Sequence, residues 1–477
     1  MSTEKELMKL SENDAFTEDD SFMGTVCIGG TGSGKTSGSG DNLRRGFLKN
    51  GYGGLVMTVK NDETRAWQNA AQQAGRSADL IIIEPGGPNT LNFLDYEAHR
   101  SGDGAGLTFN LVHLLLTAVE GGNNQSLQDA FWEKAANQLL TNAIDLVLMA
   151  NDEITLPDVV EVIRSAPSSA QDAALMTMSG EKLAELAAAG QPAWRHTSKC
   201  AQLMIKAEGR TRDPERISDL RETFAYFLHE LATLDSRTRS NLMMTVMAPL
   251  TALLRKPFRR LFCGKTTVTP EDSFNGKIII LHLPVKEYGE VGRTAQMLFK
   301  TVWQQTVERR GSDGVPLFHW ADEAQFFVHR NDMTFQQTAR SSRAATVYLT
   351  QSIVNFRAAL DKGESESVSQ SILGCLQNKI FHANGCPITN RYAESLFGEE
   401  LQSVATANQG PAGFSAGVQR QMLPIIPATR FTRLKRGGLA NNRIVEAIIF
   451  SMGHTWLGDD GKHNKNWLLA NFEQAAY

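Results

Sequence analysis

The 477-residue sequence predicts an α/β fold: a mostly parallel, doubly wound sheet with an all-α domain inserted into it. Three observations lead there. Short apolar runs recur, each followed by turn residues or a helix-like stretch. That rhythm stops between Pro85 and Lys277. Within the gap, apolar residues repeat at helical spacing instead.

The runs are GTVCIGG (24–30), GGLVMTVKN (53–61), ADLIIIEP (78–85), KIIILHLP (277–284), PLFHWADE (316–323), ATVYLTQS (345–352), NKIFHA (378–383) and VEAIIFSM (445–452). Several are near-continuous in Ile, Val and Leu, as parallel strands covered on both faces are. Their alternation with helical segments is the pattern of a doubly wound sheet. From about Gly106 to Arg260 the chain reads as helix: DAFWEKAANQLLTNAIDLVLMA carries apolar residues three and four apart, EKLAELAAAG ends at Gly190, and SDLRETFAYFLHELATL repeats the period. EGGNNQS (120–126) reads as an exposed loop. The expected organisation is a polar N-terminal arm (1–22), a discontinuous α/β domain (23–105 and 261–477) and the helical insertion (106–260).

Composition narrows the function. With 42% hydrophobic and 21% charged residues and a net charge of -4, no basic field surrounds the molecule. Any nucleic-acid contact is therefore expected at a local patch or pore. The five cysteines show no zinc spacing and read as reduced thiols in a cytoplasmic chain. The N-terminus lacks the layout of a signal peptide. No run reaches the roughly 18 apolar residues a bilayer span needs, and the nearest, LTFNLVHLLLTAV (107–119), contains Asn110 and His113. No self-encoded membrane span is expected.

The chemistry is announced by GGTGSGKT (29–36), which matches G-x-x-x-x-G-K-[ST] between a strand and a helix. In such a P-loop, backbone N–H groups and the helix N-terminus cradle phosphates. Gly29, Thr31, Gly32, Ser33, Gly34, Lys35, Thr36 and Ser37 are the expected nucleotide contacts, with Lys35 on the β/γ oxygens and the Thr36 hydroxyl on Mg²⁺. ATP and Mg²⁺ are the cofactors this implies. The reaction also needs a metal carboxylate and a group to activate water. LFHWADEAQ supplies Asp322 for the metal and Glu323 as general base; an ordinary helix cap is the plain alternative. Gln351, ending VYLTQS, suits a γ-phosphate sensor, although a surface-loop glutamine would read the same way. TARSSRAA offers Arg340, and less well Arg343, as an arginine reaching a neighbour's nucleotide; a solvated helix face is the bland reading. Lys35 and Asp322 lie 322 − 35 = 287 residues apart, and the helical insertion explains the excess over a minimal nucleotide-binding core.

Taken in order, these motifs resemble the type IV secretion coupling proteins, the ATPases of conjugative DNA transfer. The resemblance runs from about residue 23 to 450: GGTGSGKT, VKNDE (59–63), IIIEPGGPNTLNFLD, FWEKAANQLL, DSRTRSNLMMTVMAPL, WADEAQFF, RSSRAATVYLTQS and NKIFHANG…TNRYAESLFGEE. It implies a RecA-like nucleotide-binding domain with an inserted helical domain, assembled as a homo-hexamer that moves single-stranded DNA or a DNA–relaxase complex. It gives Lys35, Thr36, Asp322, Glu323, Gln351 and Arg340 the roles above. Family members usually begin with membrane-spanning helices, whereas 28 mostly polar residues precede Gly29 here. This is either a naturally soluble variant that relies on a membrane-anchored partner and a secretion channel, cytoplasmic and peripheral at the inner face of the membrane, or a chain from which the anchor was removed. Two competing readings stay open: an FtsK-type or HerA-like translocase or helicase, and a docking platform for secreted protein cargo.

Other features take plainer readings. Trp132 reads as a core aromatic, TRFTRLKRGG (429–438) as a solvated loop or strand edge with phosphate or anionic-lipid contact as the alternative, and GRTRDPER (209–216) as an exposed turn. His319, His329, His382 and His454 lack ligand spacing, and Asp62 is left without a role.

Overall fold

Most of the apolar runs become strands covered on both faces, while the edge strand from ADLIIIEP is only half-buried. In the computed structural model, which describes residues 5–121, 130–188, 194–360, 366–410 and 413–474, the strands are β1 (Glu6–Lys9), β2 (Ala15–Thr17), β3 (Thr25–Ile28), β4 (Gly53–Met57), β5 (Leu80–Ile83), β6 (Ile278–Leu281), β7 (Leu317–Ala321), β8 (Ala344–Thr350), β9 (Asn378–Phe381), β10 (Glu399–Gly410), β11 (Gly413–Pro424), β12 (Ile444–Ser451) and β13 (Trp467–Glu473). Every residue of β3, β4, β7, β8 and β9 is buried. Most of the loop expected at 120–126, and the helix end at Gly190, lie outside the described residues.

Nine strands form one sheet in the order β13-β12-β9-β3-β8-β7-β4-β6-β5. β3 pairs in parallel with β8 and β9, and β7 with β8 and β4. β12 instead runs antiparallel to both β9 and β13. The architecture is RecA-like, a mostly parallel sheet flanked by helices.

The chain divides into two units. The first comprises Met1–Ile81, Glu271–Ile280 and Thr306–Tyr477; the second comprises Ile82–Pro270 and Leu281–Gln305. In the first unit, the helix Asp41–Lys49 is fastened to the sheet by a run of aromatic contacts. Phe47 stacks on Phe318 at 5.0 Å, and Phe318 stacks on Trp67 at 5.2 Å. These contacts fix the helix whose start carries the phosphate loop.

The N-terminal segment is folded, not a free polar arm. β1 and β2 form a small antiparallel sheet, followed by the helix Glu18–Phe22. Its apolar residues Leu7, Met8, Phe16 and Phe22 are buried. Gly46 shows how close the packing is: a Cβ there would lie 2.2 Å from the carbonyl oxygen of Leu7. Thr17 and Asp20 form a reciprocal capping box that starts the helix.

The second unit is built from helices, among them Thr108–Gly121, Ala130–Ala150, Leu156–Arg164, Lys199–Arg210 and Ser236–Leu253. Leu115, Leu139, Val147, Val160 and Met204 are among the side chains of its core. Several helices start where the sequence signals it: Thr155 caps a helix with proline in its first turn, and Asp213 does the same before Pro214. The unit reaches beyond residues 106–260. The segment from Ile82 onward joins it because Leu91 N–H donates to Leu261 O at 2.8 Å, Asn92 Nδ2 to Ile154 O at 3.1 Å, and the Thr90 hydroxyl to Lys265 O at 2.5 Å. Such ties leave no periodic signal in the sequence. Trp132 is not a core aromatic; it is half-buried and meets the exposed Phe131 edge-on at 5.2 Å.

Candidate nucleotide site

β3, β8 and β7 are neighbours and parallel, so the residues that follow them meet at one edge of the sheet. Ligands of open α/β sheets sit at this carboxyl edge. β3 leads into the glycine loop, β7 into Asp322 and Glu323, and β8 into Gln351.

The loop turns at Gly32 (φ 70°) and Gly34 (φ 86°), conformations that side chains with a Cβ rarely adopt. Gly34 also has no room for one, since its Cβ would lie 2.5 Å from Val445 Cγ2. Gly29 N–H donates to Thr350 O at 3.1 Å and Gly30 N–H to Ala383 O at 2.9 Å, which seats the loop against β8 and the end of β9. After Lys35 the first helical turn, Thr36–Gly40, is wide, and the regular helix begins at Asp41. Wide turns of this kind recur at functional sites. The small residues of TSGSG permit it, and Ser39 anchors it from within by a 2.7 Å contact to His382 Nε2. Burial, reinforced by the Lys35 charge, pushes His382 down to about 3, so the ring is a neutral buried support.

Six of the expected site residues, Thr31, Lys35, Thr36, Asp322, Glu323 and Gln351, form one connected set. The Thr36 hydroxyl donates to Asp322 Oδ2 at 2.8 Å. Lys35 Nζ lies 3.8 Å from Glu323 Oε1, with the two residues 7% and 6% exposed. Gln351 Nε2 donates to both Glu323 oxygens, at 3.0 and 3.1 Å, and its own Oε1 accepts from Thr31 Oγ1 at 3.2 Å. Glu323 sits at φ 54°, ψ 51°, a left-handed conformation that costs a non-glycine residue about 1–3 kcal/mol. Strain of this kind persists only where the surroundings enforce it.

The two adjacent carboxylates are tuned in opposite directions. Burial pushes the Asp322 carboxyl up, against the pull of the Lys35 charge and the Thr36 hydroxyl. Burial also acts upward on Glu323, but hydrogen bonds from Gln325 and Gln351 and the Lys35 charge outweigh it and hold the group below its ordinary value.

The residues fit a magnesium–nucleotide. Ser33 Oγ is buried in the loop without a hydrogen-bond partner, as a donor awaiting a phosphate oxygen would be. One hydroxyl and one raised, buried carboxyl form a hard oxygen pair of the kind that Mg²⁺ takes when phosphates and water complete its shell. Among the described residues no group of three or more His, Cys, Asp or Glu could hold a metal by itself.

The two arginines part company. Arg343 (φ 48°) is engaged within the chain: it donates to Glu18 Oε1 at 2.8 Å and to Gly314 O at 3.2 Å, and lies over the Phe22 ring. Arg340 is exposed and precedes β8, whereas Gln351 follows it. At a strand rise of about 3.3 Å per residue, the intervening stretch separates Arg340 from its own phosphate loop by roughly 25 Å. The structure does not bring it to this site.

Sequence reasoning missed two supports. Gln325 donates to Glu323 Oε2 at 2.8 Å and accepts from Thr350 Oγ1 at 3.0 Å. Asn384 donates to Gln351 O at 2.9 Å. For Gln325 the only signal was its place two residues after Glu323; for Asn384 there was none. Asp62 is exposed, but its neighbour Glu63 accepts from Val59 N–H at 2.8 Å and is pushed up to about 8 by burial and the Asp322 charge.

Fold and site together define a P-loop nucleotide-binding protein of RecA-like architecture. Residues 3–212 match the family described as Type IV secretory system Conjugative DNA transfer. The chain is thus similar to that family through its N-terminal part, as its motifs had implied. Its fold matches the bacterial conjugative coupling protein TrwBdeltaN70 in its unbound form, with a TM-score of 0.63 at 13% identity over 100% of this chain and 90% of that one. The same plasmid coupling protein in complex with ADP and Mg²⁺ matches at 0.62 and 12% identity, over 100% and 90% of the two chains. Its complex with a non-hydrolysable ATP analogue matches at 0.62 and 13%, over 100% and 91%. No curated protein matches by sequence.

Proposed function

We propose that this chain is the ATP-hydrolysing coupling motor of a type IV secretion or conjugation system, recruiting and moving single-stranded DNA or a DNA–relaxase complex. The observation that carries the reading is the connected set Thr36–Asp322 and Lys35–Glu323–Gln351, standing at the edge of a sheet shared with conjugative coupling proteins.

Each residue has a task. Lys35 exchanges Glu323 for the β/γ oxygens of ATP, which releases the carboxylate toward the attacking water. Glu323, kept ionised by Gln325 and Gln351, accepts that water's proton as the oxygen bonds to the γ-phosphorus and the bond to ADP breaks. Bound Mg²⁺ would neutralise charge on the phosphates, and Thr36 and Asp322 are the residues that would hold it. Arg340, exposed and away from its own loop, serves a neighbouring subunit in a homo-hexamer. Among the described residues no helix is long and apolar enough to cross a membrane, and a membrane-anchored partner of the channel brings the motor to the inner face of the membrane.

The test is ATP turnover by the purified chain with and without single-stranded DNA, at low and raised salt. Stimulation of several-fold that fades with salt is expected from phosphate-tracking contacts, and Lys35→Ala should abolish turnover. Turnover that needs Lys35 but ignores DNA would replace the DNA motor by a platform for protein cargo. Turnover indifferent to Lys35 would refute the site.

A further inference from the structure

A second pocket lies in the nucleotide-binding unit, at the other end of the sheet. Lys379 is the second residue of β9, where it pairs in register with Val26 of β3, upstream of the glycine loop, and with Phe450 of β12. It lines a cavity of 370 Å³ together with Arg357, Tyr392, Leu373, Leu396 and Phe450.

The two cations in this pocket are incompletely satisfied. Lys379 is 4% exposed, yet its ammonium has one protein hydrogen bond, to Leu376 O at 2.7 Å, and a ring contact with Phe450 at 5.9 Å. No carboxylate pairs with it among the described residues. An ammonium has three donors, and burying one without an anion is unfavourable. Burial accordingly pushes Lys379 down to about 8, with only Cys375 opposing. Arg357 gives one nitrogen to the exposed Glu366 at 3.2 Å, while its Nε is buried without a partner. Gln370, Gln377 and Tyr392 add polar groups without charge, and the rest of the wall is apolar. An apolar pocket with a few convergent polar groups is the usual form of a small-ligand site.

The geometry points to a binding site for a small carboxylate carried on an apolar body, with Lys379 and Arg357 receiving the carboxylate and Leu373, Leu396 and Phe450 the body. Its source is either a free short-chain acid or the C-terminal residue of a peptide; both present the same chemistry.

Isothermal titration of the full chain tests this with hexanoate, hexanol, inorganic phosphate, and N-acetyl-Ala-Leu as acid and as amide. Hexanoate and the peptide acid should bind at one site, and hexanol, phosphate and the amide at least ten-fold more weakly. The tighter of the two acids identifies the source. Lys379→Met should weaken the acids at least ten-fold with ATP affinity unchanged. Leu396→Trp, which fills the cavity and leaves both cations in place, should abolish binding. The inference is overturned if neither acid binds at millimolar concentration, if hexanol or phosphate binds as well as hexanoate, or if either variant binds like the parent.

Discussion

Replacing Glu323 by glutamine should tighten ATP binding while slowing hydrolysis, and the Lys35–Glu323 contact sets the size of the first effect. Lys35 and Glu323 face each other at 3.8 Å in a nearly buried site. At an effective dielectric of about 20, two unit charges at that separation attract by roughly 4 kcal/mol. Their own desolvation and lost side-chain freedom cancel most of this, leaving about 1–2 kcal/mol. ATP must displace that contact before Lys35 can reach phosphate, and the ionised Glu323 also repels the incoming anion. A glutamine removes both obstacles, so the dissociation constant should fall by roughly 5- to 30-fold. Turnover should drop by about 10²–10⁴, the usual contribution of a general base. Binding of a fluorescent ATP analogue and steady-state phosphate release read the two effects on the same preparation. Weaker binding by Glu323→Gln, or turnover within ten-fold of the parent, would refute the assignment.

Gln351→Ala removes donors to both Glu323 oxygens, so the carboxyl pKa should rise and the acid limb of the turnover profile should move to higher pH; an unmoved limb would leave Gln351 without a part in holding the base. Because Glu323 lies below its ordinary value when folded, the stability it contributes is present above about pH 4.3 and is lost as pH falls through the folded value. Gly34→Ala meets both a 2.5 Å clash with Val445 and an unfavourable φ, so nucleotide should no longer raise its melting temperature; Val445→Ala should relieve only the clash, and a parent-like Gly34→Ala would sink the account. The thiols should separate under iodoacetamide at pH 7.5. Burial pushes Cys27 up to about 12, whereas at Cys386 the Thr389 hydroxyl and backbone N–H groups at a helix start outweigh burial and lower the pKa. Peptide mass spectrometry should find Cys386 modified well before Cys27, and the reverse order would contradict the packing described.

What could be read without coordinates follows from where each constraint resides. Eight of the nine strands of the large sheet were visible because a sheet covered on both faces demands apolar runs, as in Ile278–Leu281. The phosphate loop was visible because its turns and its lysine must occupy fixed positions. β10 and β11 were not visible: they pair over twelve positions, but all the described side chains from Leu401 to Met422 are exposed or half-buried, so no buried stripe marks them. β13 was missed for a related reason, since its burial alternates and its run is interrupted by Asn471.

The arginine pair shows the limit most sharply. Arg340 and Arg343 sit three residues apart in one polar segment, and local sequence treats them alike. Glu18, which binds Arg343, lies 325 residues away in a segment that reads as a loose polar arm. That arm folds because Phe16 and Phe22 are buried, and its folding brings the carboxylate to Arg343. The ion pair, the left-handed backbone and the contact with Gly314 then commit Arg343 to the architecture of its own chain. Arg340 keeps its charge in solvent, the state an arginine must hold if it is to act on another subunit. Long-range pairing therefore decides which of two equivalent residues is available for function, and it does so through a segment that composition alone would set aside.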